Sequence, residues 1–165
     1  MVTDDVLAID MEYGAPLALP SFPQFKLWPE SAVALGEVAE ALPLLHPDFD
    51  KRVRLVTQAF AQAALPLTHL YVLDAGTAPH VGLIYPQAAL GEVMRHWYGA
   101  RFGRYLLQVG DVASHFQRCA SLVNQVSVRR LHRPACLSAL PDLAQLVEQD
   151  LESGCNNFRC ADVSR

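Results

Sequence analysis

The stretch Pro20–Pro29 constrains the fold most, because it places Pro20, Pro23 and Pro29 among Phe22, Phe25 and Trp28. Each proline fixes its own φ and lacks an N–H donor, and the residue before each proline is pushed out of the helical region. The segment can therefore only extend or turn. Pro29, by contrast, suits the first turn of a helix, where the missing donor costs nothing. Leu35, Val38, Ala39 and Leu42 follow at the spacing of one helical face, which predicts a helix over Glu30–Leu42. Upstream, Val2–Ile9 reads as a strand stopped by Gly14 and Pro16, and Ala15–Leu19 as a second short strand.

Beyond this helix, Lys51–Thr57 alternates charged and apolar side chains as a strand with one solvent face would; a helix running on to Ala64 fits almost as well. Leu67–Leu73 and Val81–Tyr85 are β-rich and are expected to pair as a hairpin. The period changes at Pro86. Leu90, Val93, Met94 and Trp97 form one helical stripe, Val112, Phe116, Cys119 and Val123 another, with Gly99, Gly103 and Gly110 bracketing the link. Ser127–Leu131 is a short β-prone run. Leu140, Leu143, Val147 and Leu151 mark a last helix, expected to close at Gly154. The order predicts an α/β or α+β chain, with a mixed sheet followed by a C-terminal helical part. At 165 residues, one domain over 2–150 is expected, with 155–165 as a frayed tail.

Composition excludes several function classes. The net charge is −4, 52% of residues are apolar and 18% are charged, which argues against dominant disorder. Apolar runs such as Ala59–Leu70 are interrupted by Gln, Pro, Thr and His well before the ~20 residues a membrane span needs. Two acids stand where an export signal would carry positive charge, so the expected location is cytoplasmic. Charge is unevenly spread: residues 1–50 hold nine acids and one base, whereas 51–133 hold ten bases and three acids. An anionic partner for the middle segment and mutual neutralisation in the fold both account for this. Nucleic acid is not expected, since the bases are scattered and no binding motif accompanies them. Cys119, Cys136, Cys155 and Cys160 are read as free thiols, because no ligand spacing supports a zinc site.

The sharpest local feature is Asp4-Asp5 within Val2–Ile9. Two carboxylates inside an apolar strand are costly to bury without a cation or donors, which suggests chemistry. If the strand instead starts at Val6, both acids are simply solvated. The run Thr3-Asp4-Asp5-Val6-Leu7-Ala8-Ile9-Asp10, followed by Leu19-Pro20-Ser21-Phe22-Pro23-Gln24-Phe25-Lys26-Leu27-Trp28-Pro29, resembles the HPr serine kinase/phosphorylase C-terminal family. Further matches are Asp50-Lys51-Arg52, Leu67–Asp74 and Leu90–Tyr98, so the likeness spans about residues 2–150.

That resemblance implies a partial phosphoenolpyruvate-carboxykinase/HPr-kinase-like core and transfer of a phosphoryl group from ATP, with Mg2+, to a serine of a protein substrate. By resemblance Asp4 and Asp5 are the catalytic acids, with Asp5 beside Mg2+, and Lys26, Lys51 and Arg52 contact nucleotide or phosphate. His96 is expected to be a partly buried, hydrogen-bonded histidine, and Phe25 and Trp28 core residues. The family's Walker-type loop is missing, because no G-x-x-x-x-G-K-[ST] occurs. The implied protein is an N-terminally truncated or degenerate member, inactive alone. It would need a partner chain that brings the loop, or would serve as a non-catalytic binding or regulatory module. An open strand edge beside Val2–Ile9 would favour self-association.

Overall fold

The computed structural model describes residues 1–12, 14–97 and 112–153, and the backbone of 154–159. Gly99, Gly103 and Gly110, Tyr98 of the Leu90–Tyr98 match, Cys160 and the last residues of the expected tail lie outside these. The fold is mixed α+β, with small sheets and, among the described residues, four helices. Contacts divide the chain into two compact units, Met1–Leu67 and Thr68–Arg165.

In the first unit, β1 (Ala8–Asp10), β2 (Leu17–Leu19) and β6 (Leu65–Pro66) form one antiparallel sheet. β3 (Gln24–Leu27), β4 (Leu44–His46) and β5 (Phe49–Leu55) form another, ordered β3-β5-β4. The proline-rich stretch is thus extended, as its prolines require, and of the alternating 51–57 segment residues 51–55 lie in strand β5. Val2–Ile9 is corrected: only Ala8–Asp10 is strand, and Asp4 and Asp5 sit in an exposed bend before it. The predicted helix Glu30–Leu42 is corrected as well. Helix α1 covers Pro29–Ala34, and a single 3-10 turn covers Ala39–Ala41. Between them Gly36 takes φ +80, a left-handed conformation in which a Cβ is strained. This break interrupts the helical stripe. Leu35 and Val38 are 56% and 65% exposed, while the small Ala32 and Ala39 are buried.

The second unit is built on a three-stranded mixed sheet. β7 (His69–Ala75) and β8 (His80–Leu83) do not form the expected hairpin, because β9 (Ser127–Arg133) lies between them. β9 runs parallel to β7 through seven consecutive pairs, from His69 opposite Ser127 to Ala75 opposite Arg133, and antiparallel to β8. A central strand satisfies its backbone groups on both sides, which explains why the short β-prone run at 127–131 is buried at Val128 and Leu131. Side chains of β9 alternate between two faces. Leu131 packs with Tyr71, Val81 and Leu143 on the face covered by α4 (Leu140–Arg159).

The other face carries Val128 and Arg130. There α2 (Pro86–His96) packs on α3 (Val112–Gln125), and α3 touches β9. The stripe of α3 is shifted from the expected one. Cys119, Leu122 and Val123 are buried, whereas Val112 and Phe116 are about half exposed. Helix α4 runs through Gly154 to Arg159 instead of closing there. Among the described residues no helix is long and apolar enough to cross a membrane.

Two glycines should respond oppositely to alanine. Gly36→Ala introduces a Cβ at positive φ and is expected to destabilise by about 1 kcal/mol. Gly91 lies inside α2 with open space where its Cβ would be, so Gly91→Ala should stabilise by about 0.8 kcal/mol through helix propensity. Urea unfolding midpoints of the two variants check both signs.

Candidate functional site

The first unit does bring three of the nominated residues together, through β3 and the bend before β1. Lys26 donates its backbone N–H to Asp4 Oδ2 at 2.8 Å, and its ammonium lies 2.8 Å from Asp5 Oδ2. The three converge across 21 and 22 positions of sequence. Both acids are exposed, and the lysine side chain is 29% exposed.

Lys51 and Arg52 do not act as a pair. Lys26 stands opposite Val53 and Leu27 opposite Arg52 in the β3–β5 ladder. Alternation therefore puts residues 51 and 53 on the Lys26 side and Arg52 on the other. The Lys51 ammonium sits over the Trp28 ring, 5.1 Å from its centroid, a cation–π contact that leaves Trp28 half exposed rather than in a core. Arg52 binds Asp50 at 2.7 Å and reaches the Leu42 carbonyl at 3.5 Å, while its Nε is enclosed without a hydrogen-bond partner. Each nominated cation thus has a local partner in its own unit. His96, expected to be partly buried, is exposed at the end of α2.

As folded, this cluster does not fit the groups the resemblance implies. Mg2+ takes oxygen ligands at about 2.0–2.1 Å in a near-octahedral shell and keeps several waters. On Asp5 it would stand against the ammonium already bound there. A phosphate brought to Lys26 would face the carboxylates of both Asp4 and Asp5. The arrangement holds one lysine between two acids, which fixes a bend against a strand.

The denser charge networks lie in the second unit, where the sequence nominated no catalytic or phosphate-binding residue. Adjacent residues of β9 point to opposite faces. Arg129 binds Asp150 of α4 at 3.0 Å, and Tyr71 donates its hydroxyl to the same carboxylate at 2.7 Å. Burial, reinforced by the Asp150 hydrogen bond, pushes the Tyr71 hydroxyl well above its ordinary range. Arg130 bridges Asp74 at 3.0 Å and Glu92 of α2 at 2.7 Å. Its hydrogen bond is the main reason the Glu92 carboxyl is held below its usual value, against a burial that would raise it. Asp74 is lowered by the same arginine and by the Ala75 N–H.

Two further groups, one buried and one half-buried, are not activated. Cys119 Sγ lies 3.4 Å from His115 Nε2, and the His115 ring packs 4.0 Å from that of Trp97. Burial raises the thiol and lowers the imidazole, so the neutral forms are favoured and the pair is not poised as a nucleophile and base. Cys119 and Cys136 are both free thiols. Among the described residues no group of three or more His, Cys, Asp or Glu side chains is placed to hold a metal ion. The only sequence signal for the arginine networks was alternation: a strand carrying two consecutive arginines must send them to opposite faces.

Comparison with known protein families, with curated proteins and with solved structures finds no match.

His69 supplies a pH test of this sheet. Its Nδ1 meets Thr68 Oγ1 at 3.0 Å, its ring stacks on Tyr71, and its Nε2 is enclosed without a partner. Burial first, then Arg129, lowers its pKa from 6.5, with Asp150 opposing. A lowered folded value means that protonation favours the unfolded chain. The stability contribution is full above pH 6.5 and is lost as pH falls below it. Urea midpoints between about pH 5 and 8 should decline on the acid side in the native chain and decline less in His69→Gln, where His115, also lowered by burial, still contributes.

Proposed function

We propose that the chain is a non-catalytic binding or regulatory module that works with a partner chain, a degenerate relative of the HPr serine kinase/phosphorylase C-terminal family with a partial kinase-like core. The observation that carries the reading is the Asp5–Lys26 ion pair. The acid nominated for the metal and the base nominated for phosphate neutralise one another, and the second acid is occupied by a backbone donor. Phosphoryl transfer depends on positioning and on prearranged charge, and a neutralised pair offers little of either.

The distribution of apolar side chains in the first unit supports a role in binding. Among its described residues the buried hydrophobic side chains are Ala18, Ala32 and Ala39, whereas Phe22, Trp28, Phe49 and Leu55 are 50–74% exposed. Large apolar groups left outside a core built on alanines are what contact with another protein would cover.

A second reading has one observation in its favour, the convergence of Asp4, Asp5 and Lys26. In that reading the chain is the acid-bearing part of an ATP- and Mg2+-dependent protein serine kinase whose phosphate loop arrives on another chain. Calorimetry with Mg-ATP at neutral pH separates the two. The expected result is no binding tighter than about 1 mM, and a micromolar Kd would reject the non-catalytic reading. Asp5→Asn provides a control on the ion pair. It should change folding stability by less than about 1 kcal/mol, since both partners are substantially exposed.

A further inference from the structure

On the face of the β7–β9 ladder that α4 covers, His69 stands opposite Ser127 and Tyr71 opposite Arg129. The Asp150 carboxylate of α4 joins the second of these pairs. Its Oδ1 takes the Arg129 guanidinium at 3.0 Å, and its Oδ2 accepts the Tyr71 hydroxyl at 2.7 Å. Arg129 also donates its Nε–H to Ser127 Oγ at 3.1 Å. The side chains of Arg129 and Asp150 are 19% and 13% exposed, so either charge left there without the other is unfavourable.

Two kinds of contact hold α4 to the sheet. Leu143 is buried in a cluster with Leu131 and Ala139, against which Leu146 and Val147 pack. About one turn further on, the helix reaches the sheet through Asp150, with Leu151 half-buried beside it. The first part is fastened by apolar area, the second by a carboxylate that accepts directional bonds. The second part is the one that a change of charge can loosen.

His69 is the group whose charge can change. Its ring lies along that of Tyr71, with centroids 6.2 Å apart and planes at 14°, and it feels the charges of both Arg129 and Asp150. From β8 this face receives Leu83, opposite Arg129, which does not titrate. The surroundings suit a neutral ring: Nδ1 meets Thr68 Oγ1 at 3.0 Å, and Nε2 is enclosed with no partner among the described residues. A protonated imidazole is a donor at both nitrogens. The enclosed N–H would then lack an acceptor, because both Asp150 oxygens are engaged, and Arg129 would face a second positive charge. Lifting the Asp150 end of α4 relieves both by admitting water.

We propose that this cluster is an acid-sensitive latch: protonation of His69 detaches the Asp150 end of α4 from β7 and β9, while the Leu143 end stays packed. Burial and Arg129 disfavour the imidazolium and Asp150 opposes them, so the latch is closed above pH 6.5 and loosens as pH falls below it. Opening one end of a helix costs less than unfolding the sheet beneath it. The open state presents the Tyr71 hydroxyl and the Arg129 guanidinium to solvent on neighbouring strands.

Hydrogen exchange followed by NMR, expressed as protection relative to the intrinsic rate at each pH, tests this between about pH 7.5 and 5. Protection of the amides of residues 150–153 should fall at least about tenfold in acid, while that of Leu131 in β9 changes by less than about twofold. The fall should follow the His69 titration read from its ring resonances in the same samples. In His69→Gln, which cannot take up the proton, residues 150–153 should keep their protection across the range; a loss caused by His115 would persist there. Asp150→Asn removes the charge that Arg129 binds, and it should show low protection already at about pH 7.5 with little further loss in acid. Protection retained at 150–153 while His69 is protonated would overturn the latch, as would an equal acid loss in His69→Gln or native protection in Asp150→Asn. A His69 that stays neutral until Leu131 also loses protection would overturn it too.

Discussion

The second unit depends on one short piece of backbone chemistry, the alternation of Arg129 and Arg130 on the central strand β9. Because consecutive residues of a strand point to opposite faces, one arginine reaches Asp150 of α4 and the other reaches Glu92 of α2. Each face of the sheet thus has a charged fastening to a helix on that side. Glu92 is nearly fully buried, and an unpaired carboxylate there would be strongly unfavourable. The position of α2 on the sheet is therefore tied to Arg130 in a way that apolar packing, which is non-directional, does not supply.

The ion pair of the first unit that joins a strand to the segment after α1, Arg54 with Glu37, is more exposed than those of β9. The buried hydrophobic residues of that unit are small, and much of its order comes from backbone ladders and from polar contacts at their margins. Lys26 is central to those contacts, because its N–H and its ammonium engage different acids. The same three residues that suggest chemistry in the sequence thus serve to close a strand edge.

Much of the fold was legible from proline placement and periodicity. The extended path through Pro23, the start of α1 at Pro29, the strand at 49–55 and helices α2, α3 and α4 all follow local rules. The errors share a different origin. The hairpin expected from Leu67–Leu73 and Val81–Tyr85 failed because β9, remote in sequence, took the place between them. The helix over Glu30–Leu42 failed because a good apolar stripe did not outweigh Gly36. At the site, Asp4, Asp5 and Lys26 were identified as residues, but their mutual pairing was not, since strand register is set by tertiary structure. Arg130 with Glu92, and Arg129 with Asp150, went unseen because each joins elements separated in the chain.

The position of β9 also sets an order of events during synthesis. β7 and β8 emerge early from the unit, yet among the described residues neither has a partner in its sheet until Ser127–Arg133 follows. For the whole interval in which α2 and α3 are made, β7 presents Leu70 and Val72, and β8 presents Val81, without their ladder. Non-local pairing of this kind slows folding and leaves strand edges open while the chain is incomplete. The nascent chain therefore passes through a stage in which its most β-prone segments are available to any other extended polypeptide, and that stage ends with the arrival of a single strand.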